Sequence, residues 1–196
     1  MKTIFSIMLC LALLMAVGQA AAAFDPITSL VGKAISTAMD VRTKDEVKGD
    51  VDIDMAVTKK LLDQKGDDFK NISILVFAQH AVLVGYAKNA EVKRKAEELA
   101  KSDRKTRSLK NDILIGAPSG GMGGNLVLDK KIDYSLTATN GVSSVNMRWK
   151  VYGGEVFLMG VAQSQKEADL AIADIRGLDG VKNVRSSLRI VKTKKK

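Results

Sequence analysis

The sequence is poor in the residues that most often carry chemistry. Its 196 residues include one cysteine, one histidine, one tryptophan and two prolines, and only 5% are aromatic. A single cysteine excludes an intramolecular disulfide and a multi-cysteine metal site. A lone histidine with no cysteine partner removes most zinc and nucleophilic chemistry. The carboxylates form no pair that would mark an acid/base site, so the expectation is a protein that is not an enzyme and needs no cofactor and no metal. The longest apolar run, Ile4 to Val17, is broken only by Ser6 and falls short of the ~20 residues of a membrane span. What the chain does have is 46% apolar and 27% charged residues, enough to bury a core in one ordinary domain or two small ones.

That apolar run follows Met1-Lys2 and leads into Gly18-Gln19-Ala20 and an alanine run to Ala23. A basic start, an apolar centre and small residues at the exit form a secretory signal peptide over residues 1–23. Cleavage after Ala20, Ala22 or Ala23 satisfies the small-residue requirement, and Phe24 is expected to be the first structured residue. Cys10 does not read as a lipid-attachment site, because Leu9 precedes it and the apolar stretch continues beyond it. The secreted chain is therefore expected to lack cysteine and a lipoprotein anchor.

The formal charge of +9 falls to +8 without Lys2, and half of that excess is Lys192, Lys194, Lys195 and Lys196 in a basic tail over 192–196. A nucleic-acid binder concentrates basic residues on a folded face, often beside stacking aromatics. This chain does not, and no nucleic acid is expected as a partner.

The chain repeats itself. An offset of 75 residues aligns 51–115 with 126–190 without a gap, and pairs Asp54 with Asp129, Leu61 with Leu136, Leu83 with Leu158, Gly85 with Gly160 and Ile115 with Ile190. Ile53, Val57 and Leu61 match Leu128, Ile132 and Leu136, a spacing that only a helix gathers on one side. Ile72, Ile74 and Val76 match Met147, Trp149 and Val151 with a period of two, which predicts a strand. Turns at Ala78-Gln79-His80 and Gly153-Gly154-Glu155 lead to returning strands that end near Gly85 and Gly160. Second helices are predicted near Ala90–Ser102 and Gln165–Arg176. Closing strands follow, with Leu109, Asn111, Ile113 and Ile115, or Val184, Ser186, Leu188 and Ile190, on the inner face. Trp149 reads as core and His80 as surface. Gly85 and Gly160 read as structural positions, where the backbone makes a close approach or changes conformation.

The predicted fold class is therefore α+β, two tandem domains of order α-β-β-α-β, each a three-stranded sheet packed on two helices. An N-terminal helix and lead-in occupy 24–46, with Asp25-Pro26 as its start and Ile27, Leu30, Val31, Ala34, Ile35 and Ala38 as its apolar stripe. The domains cover 47–115 and 125–191, joined by a glycine-rich linker over 116–124. The returning strands, Val82-Leu83-Val84 and Val156-Phe157-Leu158-Met159, are apolar on both faces. Something must cover the second face of each sheet, the other domain or, for one of them, the N-terminal helix, and an interface between the domains is expected.

Two such units behind a secretion signal resemble BON domains (bacterial OsmY and nodulation). The resemblance rests on Gly154-Glu155-Val156-Phe157-Leu158-Met159-Gly160, on Gly180-Val181-Lys182-Asn183-Val184, and on Leu83-Val84-Gly85 of the first copy. The first copy is more divergent, with Lys105-Thr106 where Gly-Val is usual. Asp40-Val41-Arg42 and Gly49-Asp50 resemble the lead-in of dual-BON envelope lipoproteins. The resemblance covers residues 40–191. It implies a periplasmic envelope protein without catalytic chemistry that binds anionic phospholipid membranes peripherally, through the first helix of the second domain, and supports outer-membrane integrity.

Carried over by position, that helix is Asn125–Ala138, and the implied lipid-binding residues are Leu126, Val127, Lys130, Lys131 and Tyr134. Apolar side chains to enter lipid, a tyrosine at headgroup depth and lysines to reach phosphate are what such a helix needs. Asp129 and Asp133 on the same helix balance its two lysines. The other expectation is a soluble adaptor that docks a second envelope protein through its BON domains, with the sheet edges or the N-terminal helix as the contact.

Overall fold

The computed structural model describes residues 39–64, 67–119 and 122–191. The expected signal peptide, the apolar stripe of the N-terminal helix and the basic tail lie outside the described residues.

The first domain opens with α1 (Lys44–Leu62), started by a capping box in which Thr43 accepts from the Glu46 N–H and Glu46 accepts from the Thr43 N–H. Ile53, Val57 and Leu61 point inward and are buried. Strands β1 (Ile72–Phe77) and β2 (His80–Ala87) form an antiparallel hairpin. Helix α2 (Ala90–Lys101), capped by Asn89, returns the chain. Strands β3 (Ser108–Asn111) and β4 (Leu114–Ile115) both run parallel to β2.

The second domain repeats the order with α3 (Met122–Ala138), β5 (Met147–Tyr152), β6 (Glu155–Ala162), α4 (Gln165–Arg176) and β7 (Asn183–Ile190). Strand β6 lies between β5, antiparallel to it, and β7, parallel to it. This is the predicted α-β-β-α-β unit twice. The Ile53 and Leu128 stripes each seal a helix onto one face of a sheet.

Three local features differ from expectation. Helix α3 begins at Met122, inside the stretch read as linker. The closing strand of the first domain is split in two at Asp112-Ile113, where the Ile113 N–H and carbonyl, both turned away from β2, are taken by the Asn111 and Lys93 side chains while the Ile113 side chain stays in the core. Ile115 and Ile190, expected inward, pair with Ala87 and Ala162 at the last rung of their ladders and are exposed.

Gly85 and Gly160 are structural, as read. Their φ values are 107° and 131°. A Cβ would stand 2.0 Å from the Asn71 carbonyl oxygen at Gly85 and 2.1 Å from that of Asn146 at Gly160, so only glycine lets the strand end pass that close.

The second faces of the sheets cover each other. Leu75 and Phe77 of β1 and Val82 and Val84 of β2 pack against Phe157, Met159 and Val161 of β6. The layers run helix, sheet, sheet, helix. Ser73 and Tyr152 are hydrogen bonded across the seam at 2.7 Å, and Tyr152 sits edge-on to both Tyr86 and Phe157. Lys110 donates to Ser187 at 2.8 Å, and Ser187 donates to Asp112. Phe157, 1% exposed, is central to this contact. Phe157→Ala is expected to cost about 3–5 kcal/mol, read as a lower urea midpoint. An unchanged midpoint would mean that the domains do not stabilise each other.

Candidate functional site

In each domain the first helix grips the hairpin turn below it, by residues 75 positions apart. Asn125 accepts from the Gly153 N–H at 2.7 Å. Asp50 accepts from both the Ala78 and Gln79 N–H groups, at 2.8 and 2.6 Å. The second-domain turn has glycine at both left-handed positions. The first-domain turn holds Ala78 and Gln79 at φ 52° and 62°, a conformation that costs an L-residue roughly 1–2 kcal/mol. Asp50 offsets that strain with two charge-assisted hydrogen bonds. Ala78→Gly is expected to raise stability by about 1 kcal/mol, seen as a higher urea midpoint, and a fall would show that the turn is unstrained.

Asp50 is itself neutralised by Arg42, whose Nη1 donates to it at 3.0 Å, while Nε and Nη2 of Arg42 donate to Asp40. The guanidinium lies 4.4 Å from the centre of the Phe77 ring, a cation-π contact at the domain seam. Val41 N–H and the Met39 carbonyl both bond the Asn146 side chain, which ties the lead-in to the second domain. Burial acts to raise the Asp40 pKa, but the hydrogen bonds and charge of Arg42 outweigh it, and the carboxyl lies below its usual value of 3.8. With a lowered folded pKa, its contribution is complete above the ordinary carboxylate range and fades as pH falls through the lowered value. Arg42→Ala strands two carboxylates. It is expected to cost about 3–5 kcal/mol at neutral pH and less in acid, by urea denaturation at both pH values. A loss that does not shrink in acid would refute the ion-pair account.

The helix α3 presents the residues carried over from the family. Leu128, Ile132 and Leu136 are buried as expected, while Leu126, Val127 and Tyr134 are 62%, 59% and 78% exposed. Lys130 is exposed on the same face. One helical face therefore gathers Leu126, Val127, Lys130 and Tyr134. Lys131 stands at its edge, turned to Asp179, with its ammonium 3.3 Å from the carbonyl and 3.8 Å from the carboxylate. Asp129 accepts from the Trp149 indole N–H at 3.0 Å and faces the sheet, so Asp133 is the acid left among the outward residues.

Beside Lys131 is a cleft of about 440 Å³, lined by Ser119, Asn125, Val127, Gly153, Gly154 and Lys182 among others. The Lys182 ammonium donates to Ser119 at 2.6 Å, and Ser119 donates to the Gly153 carbonyl at 3.1 Å. Ser119 and Lys182 are not found by sequence reading, because a glycine-rich linker carries no periodic pattern that would place it against the second turn. The glycine pair at the turn was the available signal, since a Cβ on Gly153 would collide with the Ser119 backbone.

The other singled-out residues take ordinary places. Trp149 is partly buried against the second core. His80 is the first residue of β2, and its Nδ1 lies 2.6 Å from the Ser108 hydroxyl. Burial, with the nearby Arg189 and Arg107, pushes its pKa down. Among the described residues no group of three His, Cys, Asp or Glu side chains could hold a metal ion, and no helix is long and apolar enough to cross a membrane.

A family model described as BON domain matches residues 49–117 and 127–192. The chain belongs to the BON-domain family. Among curated proteins, this tandem BON chain is similar to an uncharacterized protein in the gshII 5'region of Anaplasma centrale. The two are 29% identical over 129 residues, which is 64% of this chain and 85% of that one. Among solved structures it is similar to CdsD, a structural protein of the type III secretion system of Chlamydia trachomatis. Identity is 18% and the TM-score 0.31, over 69% of this chain and 61% of that one. A structure of the CdsD C-terminal domain is also 18% identical, with a TM-score of 0.27, over 68% of this chain and 64% of that one. The chain thus spans less than two thirds of those solved chains.

Proposed function

We propose that this tandem BON protein is a non-enzymatic envelope protein that acts in the periplasm after signal cleavage, touches anionic phospholipid surfaces through α3 and supports outer-membrane integrity. The observation that carries this reading is the outward face of α3, where Leu126, Val127 and Tyr134 stand in solvent beside Lys130. Leaving two aliphatic side chains and a tyrosine together in water has no packing benefit, and burying them at a membrane interface does. Tyrosine suits headgroup depth because its ring is apolar and its hydroxyl polar. Lys130, with Lys131 and the tail lysines, supplies attraction to phosphate of about 1 kcal/mol per charge close to an anionic surface. Engagement of Asp129 with Trp149 leaves the outward face less acidic than the helix composition implies.

Such binding is weak and salt-sensitive. The test is co-sedimentation of the chain from Phe24 onward with phosphatidylglycerol or phosphatidylcholine vesicles. Retention is expected on anionic vesicles at low salt only. Lys130→Glu is expected to weaken it at least about five-fold, and Leu126→Asp with Val127→Asp to remove most of it. Equal retention on neutral vesicles, or indifference to these changes, would overturn the proposal.

A further inference from the structure

At the rim of the seam the closing strands of the two domains face each other. Ser108 and Lys110 stand beside His80 and Val82 in the ladder of β2 and β3, and Ser187 and Arg189 stand beside Met159 and Val161 in the ladder of β6 and β7. Neighbours across a rung share one face of a sheet. Val82, Met159 and Val161 belong to the seam, so Ser108, Lys110, Ser187 and Arg189 are turned toward it as well. Between them is a cleft of about 250 Å³, lined by His80, Ser108, Lys110, Met159, Ser187 and Arg189 among others. Ser108 and Lys110 are exposed, while His80, Ser187 and Arg189 are half-buried. The cleft is thus open to water along β3 and partly desolvated along β7.

Its cations are not equally matched. Lys110 is neutralised by Asp112, 2.6 Å away, and Arg107, close enough to act on His80, is neutralised by Glu46 at 2.9 Å. Among the described residues Arg189 has no carboxylate within ion-pair distance, and its Nε is buried with no hydrogen-bond acceptor. Burial and the charge of Arg107 work against its own charge, and Glu46 opposes them. A guanidinium held in this way costs free energy until an anion supplies the missing partner, and no described carboxylate lines the cleft to do so. Further donors are at hand. Lys110 has three N–H groups and spends them on Asp112 and Ser187 alone. Nδ1 of His80 lies 2.6 Å from the Ser108 hydroxyl. When His80 is charged, Nδ1–H donates to that oxygen and leaves the serine proton free for an anion.

We propose that this cleft binds a phosphate group, with the Arg189 guanidinium as its principal partner and Lys110 and Ser108 as further donors. An arginine fork matches two oxygens of such an anion and keeps its charge at every relevant pH. Donors on both walls suit a tetrahedral anion better than a planar carboxylate. Burial, Arg189 and Arg107 hold the His80 pKa down, and Asp50 and Glu46 pull it up. An anion beside Arg189 cancels part of the repulsion and raises that pKa, so it binds more tightly as pH falls through it. A free phosphate ester and a phospholipid headgroup offer the same chemistry. The cleft shares no residue with α3, so this proposal and the reading of α3 as a lipid face fail independently.

The test is an NMR titration of the untagged full chain from a secreting host, with chloride replaced at constant ionic strength by inorganic phosphate, acetate or glycerophosphoglycerol, the headgroup of phosphatidylglycerol without its acyl chains. Saturable shifts at millimolar concentration are expected at the Ser108, Lys110 and Arg189 amides with both phosphates and not with acetate, and the tighter phosphate names the source. His80 is the only histidine, so its ring protons report its pKa in the unchanged protein, and phosphate is expected to raise it. Sulfate, whose own charge is constant over this range, is expected to bind about three- to five-fold more tightly near pH 5.5 than near pH 7.5, and His80→Gln to remove that difference. Arg189→Gln is expected to weaken binding about ten-fold without lowering the urea midpoint in chloride, because it removes an unpaired cation. The proposal is overturned if no anion binds, if acetate binds as well as phosphate, if the His80 pKa does not rise, or if Arg189→Gln binds undiminished. A lowered midpoint for Arg189→Gln would also overturn it, by showing that Arg189 already has a partner within the chain.

Discussion

Two small sheets that are apolar on both sides can leave water only by stacking on one another, and everything else in this protein is arranged around that contact. One face of each sheet is covered by its own pair of helices, on the Ile53 and Leu128 stripes. The other faces meet through Leu75, Phe77, Val82 and Val84 against Phe157, Met159 and Val161. Domains of about 65 residues bury only about 60% of their unfolded surface when alone. Stacking raises that fraction and makes one folding unit of two. It also dictates which surfaces remain available, the outward faces of the first helices among them.

Duplication gave both domains the same local devices, and divergence gave them different surfaces. Asp50 and Asn125 hold equivalent turns, but the first turn has Ala78 and Gln79 in place of glycines and is held by a carboxylate with an arginine behind it. That arginine also spans the lead-in and stacks on Phe77 at the seam. The arginine that supports the strained turn thus also anchors the lead-in at the seam. On the outward helix faces, α1 has Val51, Asp52, Met55 and Lys59 where α3 has Leu126, Val127, Lys130 and Tyr134. An aspartate at the position of Val127 and no tyrosine make α1 the poorer membrane face. The apolar residues of α1 near its start, Val47 and Val51, border a groove of about 320 Å³ at the seam instead.

Much of this was legible beforehand because it is periodic. The 75-residue offset, the i, i+4, i+8 stripes and the two-residue alternation are properties of one element at a time. They assigned the order of elements, the buried face of each helix and the need to cover a second sheet face. The glycines at strand ends were legible for the same reason, since a missing Cβ is a local fact. The exposure of Leu126, Val127, Lys130 and Tyr134 follows once Leu128, Ile132 and Leu136 are placed inside. The start of α3 at Met122 was not legible, because glycines carry no helical pattern, and neither was the role of Asp129, which depends on an indole 20 positions away in sequence.

The sequence by itself therefore determined the repeat, the fold of each unit, the family and the helix face on which a lipid-binding reading rests. The tertiary structure alone decided which sheet faces meet, that Arg42 bridges lead-in and seam, and that Ser119 and Lys182 close over the second turn. The division has a physical cause. Periodicity records how one element meets its own core, whereas ion pairs and grooves between elements depend on residues brought together across about 100 positions of chain, as Val41 and Asn146 are, and no local pattern encodes that approach.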